Sequence, residues 1–138
     1  MYEKAFALRI IAPRGLVFEG QATSVSAPGT LGSFQVLYNH APLLSSLEVG
    51  PLKVKDSAGV DTLYATGGGF LEVKDNHVVV LVESAERPED IDVARARAAQ
   101  ERAEERLKSH DPLFDIRRAE LALARAMNRL RLASRRQA

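Results

Sequence analysis

Four arginines and one aspartate in the last third of the chain have types and spacings that suit the binding of an anion. At 100° per residue in a helix, Asp92, Arg95 and Arg102 fall within an arc of about 80°. Arg125 and Arg129 are four residues apart and share one face of a second helical segment. If the two segments are antiparallel, these arginines converge, and guanidinium groups bind phosphate oxygens through paired hydrogen bonds. The alternative is a set of solvated side chains with ion pairs along one helix, such as Asp92 with Arg95. We call Arg95, Arg102, Arg125 and Arg129 the arginine cluster.

No other group of residues has the spacing of a known catalytic or metal site. Gly67-Gly68-Gly69 is followed by Phe70-Leu71-Glu72-Val73, which reads as a strand, where a phosphate loop has Lys-Ser/Thr and a helix. The glycines therefore predict a bulge or a strand junction. Ser45-Ser46 lacks the Gly-x-Ser-x-Gly nucleophile elbow, and the sequence contains no cysteine. The histidines lack metal-ligand spacing: His40, His77 and His110. We therefore expect no catalytic residue, no metal and no required cofactor.

Composition favours a soluble globular protein. Hydrophobic residues make up 46% of the 138 positions and charged residues 27%. The start, Met1 to Ala5, does not resemble a secretory signal, and no window approaches the ~18 apolar residues of a membrane span. Residues 86–138 carry 13 Lys+Arg against 10 Asp+Glu, whereas residues 1–85 carry 6 against 8. We expect a cytoplasmic protein whose basic end can bind an anionic partner.

The first 85 residues have the pattern of short antiparallel strands. Phe6, Leu8 and Ile10 alternate with Ala7 and Arg9, and turn residues separate this segment from the next. Residues 70–74 and 77–82 around Asp75-Asn76 predict a β-hairpin. The run Val78 to Val82 predicts a strand buried on both faces. Many short strands with turns between them indicate a β-sandwich or barrel.

After Ser84 the sequence becomes rich in Ala, Arg, Glu and Leu, which predicts two helices. Pro88 suits the first helical position, with Glu89, Asp90 and Asp92 in the first turn, and this helix should run to about Lys108. Asp111-Pro112 should then start a second helix, with Asp111 as N-cap, that ends near Ala133. The three-residue break Ser109 to Asp111 favours antiparallel neighbours.

The fold class that follows is α+β: an N-terminal antiparallel β-sandwich (residues 1–85) followed by a C-terminal antiparallel α-helical hairpin (residues 86–138). Helix two has apolar residues spaced 3-4-3-4-3, which suits packing within the hairpin. Helix one offers mostly alanine, which buries little area, so we expect the hairpin to be weakly docked. The apolar positions of helix two are Ile116, Ala119, Leu123, Ala126, Leu130 and Ala133.

Four motifs, in order along nearly the whole chain, resemble the epsilon subunits of bacterial F-type ATP synthases. Residues 39–44, Asn-His-Ala-Pro-Leu-Leu, resemble a Gly-His-x-Pro-Leu loop, with Asn39 in place of the usual glycine. Residues 65–73 resemble a Gly-Gly-Gly-x-x-Glu-Val strand junction. Residues 91–96, Ile-Asp-Val-Ala-Arg-Ala, resemble the motif that opens the family's hairpin, and residues 119–130 are similar to its second helix. The segment 32–37 departs from the family's Glu-Leu-Gly pattern.

The resemblance implies a non-catalytic central-stalk subunit that couples proton flow to ATP synthesis. Its partners would be the gamma subunit, the rotor-ring c subunits that meet the loop of His40, and the catalytic alpha/beta head, which an extended hairpin would enter to inhibit ATP hydrolysis. The protein would be peripheral, on the cytoplasmic face of the bacterial membrane, and held there only through the complex. ATP would be a regulatory ligand in some members. The corresponding positions here are Glu86, Ile91, Asp92, Arg95, Ala96, Arg102, Arg125 and Arg129.

Two other classes of protein fit parts of the sequence. An adaptor for nucleic acid or an acidic surface would use the arginine-rich second helix, but the aromatic residues of the first half are dispersed among predicted strands and suit a core. Salt-dependent binding of nucleic acid would identify such an adaptor. A free-standing enzyme would turn over a substrate without partners. We expect no nucleic-acid partner.

Overall fold

Alternating apolar side chains place seven strands around one core in the first part of the chain. The computed structural model describes residues 4–137, with side chains as far as Arg135, and divides between Arg87 and Pro88 into two units. Within residues 4–87, the first unit contains only strands and turns. Its strands are β1 (Phe6–Ala12), β2 (Gly15–Gly29), β3 (Gly32–Val36), β4 (Leu43–Asp56), β5 (Asp61–Lys74), β6 (His77–Val82) and β7 (Ala85–Glu86).

The strands pair in the order β1-β6-β5-β4-β2-β3, and β1 also pairs with β2, which closes the sheet on itself. β7 pairs with β5. This arrangement confirms the predicted sandwich or barrel-like class. The pairing of β1 with β6 is parallel, whereas the sequence pattern predicted antiparallel strands.

The hairpin predicted around Asp75-Asn76 is confirmed, because Lys74 of β5 faces His77 of β6. Both turn residues have positive φ, 49° and 59°, as a type I′ turn requires. β6 itself is not buried on both faces, contrary to the prediction. Val80 is fully buried but Leu81 is 49% exposed, because this closed sheet has one core-facing side and strand side chains alternate.

The second unit is an antiparallel helical hairpin, as predicted. Its helices are α1 (Val93–Ser109) and α2 (Ile116–Ala133), with short 3₁₀ turns at Pro88–Asp90 and Ser134–Gln137. The two helices pack on each other, and the first 3₁₀ turn contacts both α2 and the second 3₁₀ turn. The end of the second helix therefore lies beside the start of the first.

Both helices begin four or five residues later than predicted. Pro88 opens a 3₁₀ turn, and α1 starts only after Asp92, which has extended backbone and accepts a hydrogen bond from the Arg95 N–H at 3.0 Å. Asp111 is not the N-cap of α2. It accepts from the Leu113 N–H at 2.8 Å within the loop, and Asp115 caps α2 through the Arg118 N–H at 3.2 Å.

Buried alanines recur every seven residues along each helix. On α1 they are Ala96 and Ala103, and on α2 they are Ala119, Ala126 and Ala133. Seven residues are close to two helical turns, so each set lies on one face, and small side chains allow two helix axes to approach closely. Of the predicted apolar positions on α2, Ile116 is 56% exposed because it is the first residue of the helix.

Candidate functional site

Asp92 caps the start of α1, because its carboxylate accepts a hydrogen bond from the helix backbone. Asp92 Oδ1 accepts a hydrogen bond from the Arg95 N–H. Backbone N–H groups in the first turn of a helix have no carbonyl partner within the helix, so the carboxylate supplies one. This bond fixes the residue that precedes α1 and the direction in which α1 leaves it. Ile91, just before the cap, is 3% exposed, and Ala96 in the next turn is 4% exposed. The two apolar positions implied by the resemblance therefore anchor the segment that carries Asp92 and Arg95.

The arginine cluster is divided between the two packed helices. Arg95 and Arg102 lie exposed on α1, while Arg125 and Arg129 lie partly buried on α2. The antiparallel packing puts the C-terminal half of α2, which carries Arg125 and Arg129, next to the N-terminal half of α1. The last implied position, Glu86, is a half-buried residue of β7 in the first unit.

The glycine run forms a strand junction, as predicted, and not a phosphate loop. It lies inside β5, and Gly68 and Gly69 have φ of +93° and +155°. The partner of β5 changes here: Thr66 pairs with β7, whereas Gly69 pairs with β6. A Cβ on Gly69 would overlap the carbonyl oxygen of Leu81. Glycine is needed because two backbones approach closely at a left-handed position.

The loop of residues 37–42, between β3 and β4, presents His40. Its Nδ1 lies 2.7 Å from the carbonyl oxygen of Ala41. A carbonyl oxygen can only accept, so Nδ1 carries a hydrogen and donates this hydrogen bond. Asn39 has φ of 62°, a left-handed conformation that glycine adopts freely and asparagine tolerates better than most residues. This explains how asparagine can stand where the family motif has glycine.

Sequence reasoning missed the contacts that hold this loop. The Asn39 N–H donates to Asn76 Oδ1 at 2.7 Å, and Asn76 Nδ2 donates to Asn39 Oδ1 at 2.9 Å. The Lys4 ammonium also lies 5.3 Å from the centre of the Tyr38 ring. Nothing local indicated that the loop of Asn39 meets the predicted turn of Asn76, which is 37 residues away in the sequence.

A shallow pocket of about 420 Å³ lies beside the β2–β3 turn, lined by residues 29–34 and 44–46. Leu31 at the tip of the turn is fully exposed, and Leu44 is 69% exposed. Of the lining residues, 32–34 belong to the segment that departs from the family pattern. Leu31 is thus an exposed apolar side chain at the hairpin tip, and Leu44 is a second one near the start of β4.

Within residues 4–137, no three His, Asp or Glu side chains are grouped so that they could hold a metal ion. None of the helices described in that range is long and apolar enough to cross a membrane.

A closed β-sheet unit followed by an antiparallel helical hairpin is an architecture in two parts, and each part matches a family model. Residues 5–88 match the ATP synthase, Delta/Epsilon chain, beta-sandwich domain, and residues 89–134 match the ATP synthase, Delta/Epsilon chain, long alpha-helix domain. The chain therefore belongs to the ATP synthase Delta/Epsilon chain family. This membership confirms the resemblance read from the four motifs, and the prediction that the chain is a subunit without catalytic activity of its own.

Similar curated proteins are named ATP synthase epsilon chains. The chain is 46% identical to the ATP synthase epsilon chain of Desulfitobacterium hafniense (strain Y51), over 93% of this chain and 96% of that one. It is 47% identical to that of Nitratidesulfovibrio vulgaris (strain DP4), over 94% and 96%. Among solved structures, a chain of the Euglena gracilis mitochondrial ATP synthase (OSCP/F1/c-ring) shares the fold at a TM-score of 0.80 and 23% identity, with 93% of this chain and 81% of that chain covered.

Proposed function

We propose that this chain is the rotor subunit that links the gamma subunit and the ring of c subunits in a bacterial F-type ATP synthase, coupling proton flow to ATP synthesis. The observation that carries the proposal is the match of both units, in order and across residues 5–134, to the two domains of one ATP synthase chain. The loop of His40, together with exposed Leu31 of the β2–β3 turn and Leu44 of β4, supplies a surface for the rotor ring. The subunit is then peripheral, on the cytoplasmic face of the membrane, through the complex alone.

Copurification tests the assembly. The full chain, tagged in its own organism, should recover the gamma subunit, the c ring and the catalytic alpha and beta subunits in fixed proportion. Recovery of the chain alone, or with nucleic acid, would contradict the proposal.

The hairpin is proposed to regulate ATP hydrolysis by extending towards the catalytic head. Arg117, Arg118 and Arg131 are exposed on α2 and form a basic surface that suits acidic protein loops. Each exposed charge pair is worth only about 0–1 kcal/mol, but several together can bias a conformational equilibrium. Deleting residues 88–138 should raise hydrolysis by the reconstituted head without preventing assembly. Unchanged hydrolysis under inhibitory conditions would argue against a regulatory hairpin.

ATP is proposed as the ligand that holds the hairpin folded. Asp92 fixes the start of α1, the arginine cluster lies on two helices that pack on each other, and guanidinium groups suit phosphate oxygens. A ligand that binds only the folded form stabilises it by about 2.7 kcal/mol at a hundredfold excess over Kd. Bound ATP keeps the hairpin folded when ATP is abundant. This stabilisation is lost when ATP falls, and the hairpin is then released.

Isothermal titration of the full chain tests the ATP site. We expect one site, with binding weakened at least tenfold by Arg95→Ala or Arg125→Ala, because a charge-assisted hydrogen bond is worth about 1.5–3 kcal/mol. Arg97→Ala on α1 and Arg131→Ala on α2 are matched controls, since both side chains are exposed and lie away from the cluster's faces. No binding at millimolar ATP, or equal losses in the control variants, would contradict the ATP site.

A further inference from the structure

Two asparagines that are far apart in the sequence bind each other through both of their side chains. The Asn39 N–H donates to Asn76 Oδ1, and Asn76 Nδ2 donates back to Asn39 Oδ1, at 2.7 and 2.9 Å. Asn39 belongs to the β3–β4 loop and Asn76 to the β5–β6 turn. Both residues have positive φ, 62° and 59°, so both bonds depend on backbone conformations that few residues adopt.

This pair joins two turns, and the β5–β6 turn is the one that the rest of the sheet holds in place. Its two strands are hydrogen-bonded up to Lys74 and His77, and the carbonyl oxygen of Asn76 accepts the Ala7 N–H of β1 at 3.0 Å. Asn76 is therefore held by its backbone on one side and holds the loop with its side chain on the other. Within the loop, the His40 N–H donates to the carbonyl oxygen of Leu37 at 3.2 Å, which closes a tight turn around Asn39.

The loop held in this way exposes apolar side chains. Leu37 is 50% exposed, Tyr38 37%, and Leu44 just beyond the loop 69%. Ordering a loop on binding costs free energy, and a loop that is already ordered binds without that cost. The Leu37 and Tyr38 side chains of an ordered loop therefore meet a partner without that cost.

We propose that the Asn39–Asn76 pair sets the conformation of residues 37–42 and so preorganises this loop for its partner, with Asn76 as a positioning residue that does not itself touch the partner. The proposal rests on the proposed function, in which the loop meets the rotor ring. Asn76 thus acts on a loop that lies 37 residues away from it in the sequence.

Hydrogen exchange of the full chain, followed by NMR, tests the pair itself. Asn76→Gly keeps the positive φ at position 76 but removes both side-chain bonds, so exchange of the Asn39 and His40 amides should accelerate roughly threefold to tenfold. Asp75→Gly is the matched control, since it makes the same change one residue earlier in the same turn and leaves the pair intact. Equal exchange in these two variants would overturn the proposal.

Variants at position 39 separate the two bonds. Asn39→Asp keeps the backbone donor and an acceptor for Asn76 Nδ2, whereas Asn39→Gly keeps only the backbone donor. We expect protection of the Asn76 side-chain amide protons in the parent chain and in Asn39→Asp, and its loss in Asn39→Gly. If Asn39→Gly retains this protection, the pair does not exist in solution.

Affinity for the purified rotor ring with its gamma subunit tests the consequence. Asn76→Gly should raise Kd roughly threefold to tenfold, with Asp75→Gly unchanged and Asn39→Asp close to the parent. Faster exchange without weaker binding would overturn the positioning role. If the parent chain itself does not bind the rotor ring, the proposed function fails and the preorganisation role with it, while the exchange results still decide whether the pair orders the loop.

Discussion

At the scale of single residues, the glycine run shows how a sequence feature that suggests chemistry can be explained by backbone geometry. Gly69 combines a φ of +155° with a backbone approach so close that a Cβ would overlap the Leu81 carbonyl oxygen. Gly59 also has positive φ, +84°, but no atom lies within 4 Å of the place where its Cβ would be. Comparing Gly69 with Gly59 therefore separates the free-energy cost of backbone strain from that of a steric clash.

Gly69→Ala should destabilise the chain by about 3 kcal/mol or more, because strain at φ and a steric clash with β6 add together. Gly59→Ala should cost only about 1 kcal/mol, since strain alone applies. Urea unfolding at neutral pH measures both. Similar losses in the two variants would show that the close approach to Leu81 does not exist.

Tyr64 gives a residue-scale prediction about pH. Its side chain is 5% exposed, and this burial raises the pKa of the phenol above its ordinary value of 10.0, while the positive charge of Arg87 lowers the pKa by less. Below pH 10 the folded and unfolded states both keep the proton, and the contribution of Tyr64 to stability is fully present. Above pH 10 the unfolded state releases its proton first, so stability falls as pH rises towards the raised folded pKa.

Tyr64→Phe should therefore flatten the loss of stability above pH 10 without changing the slope at neutral pH. Thermal unfolding between pH 7 and 11 gives the comparison. Parallel curves for the parent and Tyr64→Phe would contradict the buried position of this phenol.

At the scale of elements, the sequence predicts best the features that depend only on residues close together in the chain. The β5–β6 hairpin follows from alternation around Asp75-Asn76. The predicted common helical face of Asp92 and Arg95 is wrong, because Asp92 lies outside α1 and its carboxylate accepts from the Arg95 backbone N–H. The start of α2 was misplaced because Asp111-Pro112 and Asp115 are equally good starting signals, and periodicity does not choose between them. The Asn39–Asn76 pair is beyond local reasoning, since it depends on two turns that only the completed sheet brings together.

The cap of α2 can be tested directly. Asp115→Ala should cost about 1 kcal/mol, because Asp115 accepts the otherwise unpaired Arg118 N–H, and Asp115→Asn should retain most of that stability. The exchange rates of the Arg117 and Arg118 amides should rise in Asp115→Ala. Asp111→Ala serves as the comparison, since the Asp111 carboxylate accepts from the Leu113 N–H within the loop. A larger effect at Asp111 than at Asp115 would place the helix start where the sequence alone first suggested it.

At the scale of the whole molecule, the two units differ in how they are stabilised. The strand unit has one apolar core, whose buried members all lie between Phe6 and Val82, and Ala85 of β7 packs against it. The hairpin packs mainly alanines, each of which buries little area. The hairpin therefore gains less free energy from apolar burial than the strand unit does.

A chain truncated after Arg87 should consequently fold by itself, with a β-type circular dichroism spectrum, a cooperative unfolding transition and retained binding to the gamma subunit. Truncation after Ser84 is the sharper comparison, because it also removes β7, whose Ala85 and Glu86 pair with Thr66 and Ala65 of β5. Loss of those backbone hydrogen bonds should cost about 1–2 kcal/mol relative to the longer truncation. If residues 1–87 remain unfolded while the full chain folds, the strand unit depends on the hairpin for its stability.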